Sequence, residues 1–244
     1  TTRVAGELRP QEVSMIMWAL AKLAESGMDV DATAVQAVSA ETTRVAGELR
    51  PQEVSMIMWA LAKLAESGMD VDATAVRAVS AETTRVAGQM EPQAVSNILW
   101  ALAKLAESGV DVDAKAVRAV SAETTRVAGE LRPQEVSMIM WALAKLAESG
   151  MDVDATAVRT VSAETTRVAG EMEPQHVSNV LFALAKLAEK GVDVDVTAVR
   201  AVSAETTRVA GEMEPQHVSN VLFALAKLAE KGVDVDVTAV RAVS

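Results

Sequence analysis

The chain has no cysteine and no tyrosine, and its 244 residues include only four tryptophans and two phenylalanines. The absence of cysteine excludes disulfides and thiolate chemistry. Hydrophobic residues nevertheless make up 50% of the chain. A core must therefore be built from valine, leucine, methionine and alanine.

Long apolar runs and an excess of positive charge are also missing. No apolar run of about 18 residues occurs, because a lysine interrupts every ALAKLA segment, so no membrane-spanning segment is predicted. The formal net charge of −11 argues against indiscriminate binding to polyanions. The first residues, TTRVAGELRP, are not those of a signal peptide.

What the sequence does contain is an internal repeat. The hexapeptide TTRVAG recurs every 41 residues and divides the chain into six copies. The copies cover residues 1–41, 42–82, 83–123, 124–164, 165–205 and, truncated, 206–244. A period near 40 residues is typical of helical-pair solenoids. We therefore predict an all-α fold, in which residues 1–244 form a single array of antiparallel helical hairpins wound into a right-handed superhelix.

The first helix of each copy, helix A, is predicted at about residues 10–26. Pro10 suits the first turn of a helix, where its missing N–H costs nothing. Gly27 suits the residue just past a helix end. Between them, Val13, Met17 and their neighbours fall on one face at the helical period.

The second helix, helix B, is predicted at about residues 32–46. Asp31 is a good N-cap residue. Val35 and Val38 begin an apolar stripe at helical spacing, and Gly47 is expected to end the helix.

This division makes residues 1–5 the end of a further helix B, and it leaves the last helix B incomplete at Ser244. We therefore expect the chain to be a segment of a longer array without capping repeats. Because apolar faces at open ends favour association, end-to-end self-association is expected.

Two positions on the polar side of helix A, those of Glu12 and Met15 in the first copy, change their side-chain chemistry between copies. They lie one turn apart. One interpretation is charge exchange, in which the pair Arg9 and Glu12 becomes Glu173 and His176. The other is that the variable pair contacts a ligand, and the pattern leaves both open. The candidate ligand-contacting residues are Glu12, Met15, Glu53, Met56, Ala94, Asn97, Glu135, Met138, His176, Asn179, His217 and Asn220.

The scarce aromatic residues recur at one position of helix A. Trp18 and its equivalents accompany an alanine such as Ala32, whereas Phe182 accompanies Val196. An exchange of volume of this kind favours packing in the core. The alternative is a stacking platform for bases.

One lysine also recurs on the polar side of every helix A. If A helices stack at about 8–10 Å, these lysines form a ladder that could contact phosphates. The alternative is a solvated helix face paired with nearby glutamates. The candidate phosphate-contacting residues are Lys22, Lys63, Lys104, Lys145, Lys186 and Lys227.

No constellation for catalysis is apparent. The only histidines, His176 and His217, occupy equivalent places in adjacent copies, which is too little for a metal cage or an organised acid–base pair. The DVD segments lack the rest of a calcium loop, and no glycine-rich phosphate loop or nucleophile motif occurs. We expect neither enzyme activity nor a metal or cofactor.

The segments PQAVSNILWALAKLAESG (92–109) and PQHVSNVLFALAKLAEKG (174–191) resemble the octotricopeptide repeat. That family's helix A carries the signature Q-x-hydrophobic-[AS]-N-x-hydrophobic-[WF]-A-[LF]-A-K-L. Copies one, two and four have methionine in place of its asparagine. The motif is also similar to the SKWP-type repeats of large plant-pathogen effector proteins.

The first resemblance implies a solenoid that binds single-stranded RNA, organellar in algae, with about one base per copy. The second implies a protein-binding scaffold within a bacterial type III effector-like protein that acts inside a host cell. The charge pattern of the A-helix surface discriminates between them. A continuous positive stripe would favour RNA, and an acidic or apolar groove would favour protein. Because three of the six copies match the signature at every position, we predict a modular scaffold that selects single-stranded RNA through its helix A surfaces, with the protein-binding solenoid as the alternative.

Overall fold

The computed structural model describes residues 6–243, and within that range the fold consists of α-helices joined by short loops and 3₁₀ turns, with no strand. The A helices are the odd-numbered ones: α1 Pro10–Glu25, α3 Pro51–Glu66, α5 Pro92–Glu107, α7 Pro133–Glu148, α9 Pro174–Glu189 and α11 Pro215–Glu230. The B helices are the even-numbered ones: α2 Ala32–Val45, α4 Ala73–Val86, α6 Ala114–Val127, α8 Ala155–Val168, α10 Val196–Val209 and α12 Val237–Ala242. The predicted all-α class and both helices of each hairpin are confirmed. The expectation about residues 1–5 lies outside the described residues.

Each helix A begins and ends as its proline and glycine indicate. Pro10 is the first helical residue, and Gly27 has a φ of 75° just beyond the end. The Gly27 N–H donates to the carbonyl of Ala24 at 2.9 Å, and the Met28 N–H donates to that of Leu23 at 3.0 Å. This pair of hydrogen bonds is a Schellman motif, which satisfies the last carbonyls of the helix and requires a left-handed residue.

Each helix B begins as predicted and ends differently. The Asp31 carboxylate accepts the backbone N–H of Thr33 at 2.9 Å, as an N-cap does. The observed end is one residue from the predicted end at about residue 46, but Gly47 lies within a 3₁₀ turn that follows the α-helix. The α-helix ends at Val45, and Ala46–Glu48 form a 3₁₀ turn closed by the Leu49 N–H on the Ala46 carbonyl at 3.0 Å. The φ of Gly47 is not in the left-handed region.

The chain clusters into two compact units, Thr1–Glu123 and Thr124–Ser244, with the boundary inside α6. In the first unit, α3 packs between α1 and α5, α2 packs on α4, and the first two A helices contact the B helix of their own copy. In the second unit, α9 packs between α7 and α11, and α10 packs between α8 and α12. Within each unit, helices therefore stack on those of the neighbouring copy, as in a solenoid.

The core of each unit lies between successive A helices and between the A and B helices of the same copy. In α3 the side chains of Val54, Ile57, Met58, Leu61 and Leu64 are all fully buried. The alanines between them are buried as well, and their small side chains let neighbouring A helices approach closely. An internal helix A is thus covered on nearly all sides.

A glutamate and an arginine of helix B lock the hairpin at its open end. The Arg44 guanidinium donates to Glu41 at 2.7 Å and to the backbone carbonyl of Leu8, which precedes helix A of the same hairpin, at 2.5 Å. Arg85 donates in the same way to Glu82 and to the Leu49 carbonyl. The repeated ETTR segment is therefore structural, a role that its i, i+3 spacing of opposite charges could have indicated.

The glycines that follow α3 and α4 should respond oppositely to alanine. Gly68 has a φ of 77° and open space where a Cβ would lie, so Gly68→Ala should lower the free energy of unfolding by about 1–2 kcal/mol through backbone strain alone. Gly88 has equally open space without a left-handed φ, so Gly88→Ala is the matched control and should be neutral or stabilising by up to about 1 kcal/mol. Urea denaturation of both variants measures the difference. Equal effects would contradict the Schellman assignment.

Candidate functional site

The variable residues of helix A lie at its N-terminal half and are less exposed than the sequence suggests. Met15, in the first copy, is 55% exposed. Its equivalents from Met56 to Asn220 are half-buried, since each lies beside a neighbouring helix A. At the other variable position, Glu53 and Glu135 are buried and Ala94 is nearly so. Glu12, His176 and His217 keep part of their surface.

In copies one, two and four the variable glutamate caps its own helix. The Glu53 carboxylate accepts the backbone N–H of Arg50, the N-cap residue, at 2.7 Å and pairs with the Arg50 guanidinium at 2.5 Å. Burial alone would raise the pKa of Glu53, but the hydrogen bonds from Arg50 outweigh it and lower the pKa. The i, i+3 charge pair expected from the sequence is thus present. Its capping role was missed, although Pro51 at the first helical position marks residue 53 as the third.

In copies five and six a histidine takes over this cap. The Nδ1 atom of His176 accepts the backbone N–H of Glu173 at 3.2 Å, and His217 does the same for Glu214 at 3.2 Å. Burial lowers the pKa of His176, and the nearby Glu173 carboxylate only partly opposes it. The cap requires an unprotonated Nδ1, so capping and a neutral ring favour each other.

Copy three has neither arrangement, because its variable residue is Ala94. No side chain caps the first turn of α5. A groove of about 440 Å³ lies there between α3 and α5, with Met56 on one side and Ala94 and Asn97 on the other. Three of the twelve candidate residues are therefore brought together in one concave site.

The recurring lysines lie in an alternating row with glutamates, here called the Lys–Glu ladder. In the first unit, the Lys63 ammonium lies 3.0 Å from Glu25 of the preceding copy and 3.1 Å from Glu66 of its own. Lys104 lies 2.9 Å from Glu66 and 3.2 Å from Glu107. In the second unit the row comprises Lys145, Glu148, Lys186, Glu189, Lys227 and Glu230.

The ladder lysines also lie over the aromatic rings of helix A. The Lys63 ammonium is 5.9 Å from the ring centroid of Trp59 and 4.9 Å from that of Trp100. Burial would lower the pKa of Lys63, but hydrogen bonds to Glu25 and Glu66 outweigh it and raise the pKa. The Lys63 side chain, of which 21% is exposed, is held by these contacts and therefore stabilises the fold. Of the two interpretations of these lysines, the geometry matches pairing with glutamates.

The assignment of the aromatic position to the core is wrong in part. Trp59 and Trp100 are half-buried beneath lysines, and Trp18 is 43% exposed. The inferred volume exchange also fails, since Ala73 is an exposed residue at the start of α4 and Val196 is exposed at the start of α10. Exposed positions are under no packing constraint, so the covariation has no structural explanation.

Comparison with known proteins adds no assignment, because neither a protein-family model nor a curated protein matches the chain. Within residues 6–243, no helix has both the length and the apolar character that a membrane span requires. In the same part of the chain, no cluster of acidic or histidine side chains is arranged to hold a metal ion.

Removing one ladder lysine should destabilise the first unit. Lys63→Ala loses two ion pairs and two cation–π contacts, for a combined cost of roughly 1–2 kcal/mol in the free energy of unfolding. Arg77→Ala is the control, because Arg77 is exposed and only reaches Thr74 at 3.5 Å. Chemical denaturation in low salt compares the two. A stability unchanged by Lys63→Ala would show that this lysine is available for other partners.

The His176 cap should make stability depend on pH. Because the pKa of His176 is lowered in the folded chain, its contribution is fully present above about pH 6.5, the ordinary value, and is lost as pH falls below it. The denaturation midpoint of the native chain should therefore drop further between about pH 7.5 and 5.5 than that of His176→Gln, which keeps an uncharged acceptor. Equal drops in the two proteins would contradict the capping role.

Proposed function

We propose that the chain is a modular binding scaffold that holds an extended polypeptide segment along the N-terminal halves of its A helices. The observation that carries this proposal is that the recurring lysines are paired with glutamates. A carboxylate oxygen lies 2.7–3.1 Å from each of the six ammonium groups. The Lys–Glu ladder contains six lysines and six glutamates, so its net charge is zero. Binding of a phosphate backbone would instead need a positively charged stripe.

The composition of the variable face supports the same partner. Its groove between α3 and α5 combines methionine and alanine with the amides of Gln52, Gln93 and Asn97. Amides offer both a donor and an acceptor, as a peptide backbone requires. Methionine adapts its shape to different apolar side chains. The net charge of −11 further favours a partner that is not a polyanion.

Single-stranded RNA is the second candidate, and the octotricopeptide resemblance supports it. Under this proposal the two variable positions spell Glu-Met, Glu-Met, Ala-Asn, Glu-Met, His-Asn, His-Asn along the copies. A preferred strand would then follow the pattern X-X-Y-X-Z-Z. Asparagine can hydrogen-bond a base edge, whereas methionine can only pack on a ring. Phosphate contacts would have to come from outside the Lys–Glu ladder.

The finer architecture is part of the proposal. We propose that the 41-residue copies continue as one right-handed superhelix, with the A helices in one layer and the B helices in the other. Only then would the variable positions of all six copies form one extended face for a single ligand.

Selection from two random pools tests the proposed partner. We expect a displayed library of peptides to yield enriched families, and a pool of single-stranded RNA to yield none even in low salt, where electrostatic contacts are strongest. A variant with His176→Glu and His217→Glu serves as the matched control for both pools.

An RNA family that is enriched on the native chain, and whose preference changes at two adjacent positions in this variant, would overturn the polypeptide proposal. It would establish the RNA candidate in its place. Peptide families without any RNA family would support the polypeptide proposal.

A further inference from the structure

The groove between α3 and α5 is larger than the one at the preceding junction. Between α1 and α3 the corresponding site has a volume of about 250 Å³ and is lined by Glu53 and Arg50. Between α3 and α5 the volume is about 440 Å³. The two junctions join the same elements of consecutive copies, so the difference lies in the side chains.

Ala94 accounts for the added space. The buried Glu53 side chain folds back onto the first turn of α3, where it accepts the Arg50 N–H and pairs with the guanidinium. Its equivalent in α5 is truncated at Cβ, so the matching volume is not filled by the protein. The lining of the opened groove includes two apolar side chains, Met56 and Ala94, beside the buried Ser55.

The charge at the rim of this groove is unbalanced. Arg50 contributes a positive charge that Glu53 already neutralises at 2.5 Å. Glu91, which is exposed on the other rim, has no ion-pair partner among residues 6–243. The groove therefore combines two apolar side chains, three amides and one uncompensated negative charge.

We infer that this groove is an anchor site for one large apolar side chain of a polypeptide segment that carries a lysine or arginine next to it. The apolar side chain packs on Met56 and Ala94, and the cationic residue pairs with Glu91. Gln93 and Asn97 hydrogen-bond the backbone of the segment. This inference rests on the proposed function and adds the chemistry of the partner and the one junction that anchors it.

The second unit offers a junction with the same plan but a larger side chain at the position of Ala94. There α7 supplies Met138 and α9 supplies Glu173 and Asn179, as α3 and α5 supply Met56, Glu91 and Asn97. The difference is His176, which stands where copy three has Ala94 and whose Nδ1 caps its own helix. The chain thus contains its own comparison between an alanine and a histidine at this position.

Two substitutions exchange the alanine and the histidine between the two junctions. Ala94→His copies the Glu-x-x-His pattern of copy five into copy three, so it should fill the groove and supply the missing cap without loss of stability. His176→Ala removes the ring between α7 and α9 and should open a second anchor site. Arg77→Ala is the control, because Arg77 is exposed on α4 and does not line the groove between α3 and α5.

The probe is a displayed library of random peptides, roughly seven residues long, selected on the native chain. Enriched peptides are then measured individually by fluorescence anisotropy and by ¹³C NMR of the methionine methyl groups. We expect one large apolar residue beside a lysine or arginine, binding at one site, and a shift of the Met56 resonance. Ala94→His should weaken binding at least about ten-fold, which is typical when an anchor pocket is lost, and His176→Ala should add a second site.

The outcomes separate the inference from the function on which it rests. Peptides that bind the native chain and Ala94→His equally would overturn the anchor site and leave the polypeptide-binding function standing. A library that yields no binding peptide would overturn both. Loss of binding in Ala94→His together with a lowered denaturation midpoint would also count against the inference, unless His176→Ala gains the second site.

Discussion

The close packing of each helix A between its neighbours is the constraint on which the rest of this structure depends. Val54, Ile57, Met58, Leu61 and Leu64 are all fully buried in α3, so the helix has few positions left where side chains can differ. Those positions lie at two margins. One margin is the N-terminal half, and the other is the line of the lysines. Any function of the A helices must therefore use side chains at one of these two margins.

The side chains of the two margins differ in the partners that they contact. Along the lysine margin, charges of opposite sign alternate between copies and lie over aromatic rings, so that each cation is already bound. Along the N-terminal margin, the buried side chains serve the helix ends, and the half-buried ones, such as Met56 and Asn97, face a groove. The charges of the first margin are the same in every copy, whereas the side chains of the second differ between copies. A scaffold can tolerate changes of specificity when the two are separated in this way.

The sequence predicted the fold well because every signal for it is local. Pro10, Gly27 and Asp31 mark helix ends through backbone chemistry within a few residues, and the helical period marks the buried face. The site was harder to predict, because it depends on contacts between copies. The position of Lys63 between Glu25 and Glu66 can be predicted only when the placement of the preceding copy is known. The same is true of the space that Ala94 opens beside Met56. The aromatic residues were assigned to the core from an apparent exchange of volume between copies, although rings such as that of Trp100 lie half-exposed beneath the lysines of the Lys–Glu ladder.

The arginine lock at the open end of each hairpin bears on how such an array changes over generations. Arg85 and the carbonyl that it holds, that of Leu49, are 36 residues apart and belong to the same hairpin of α3 and α4. Every such hairpin is therefore closed by its own side chains. A duplication or deletion of one whole period would leave each remaining lock intact and alter only the number and order of modules. Such a chain can change in length through recombination without first acquiring a new way to fold.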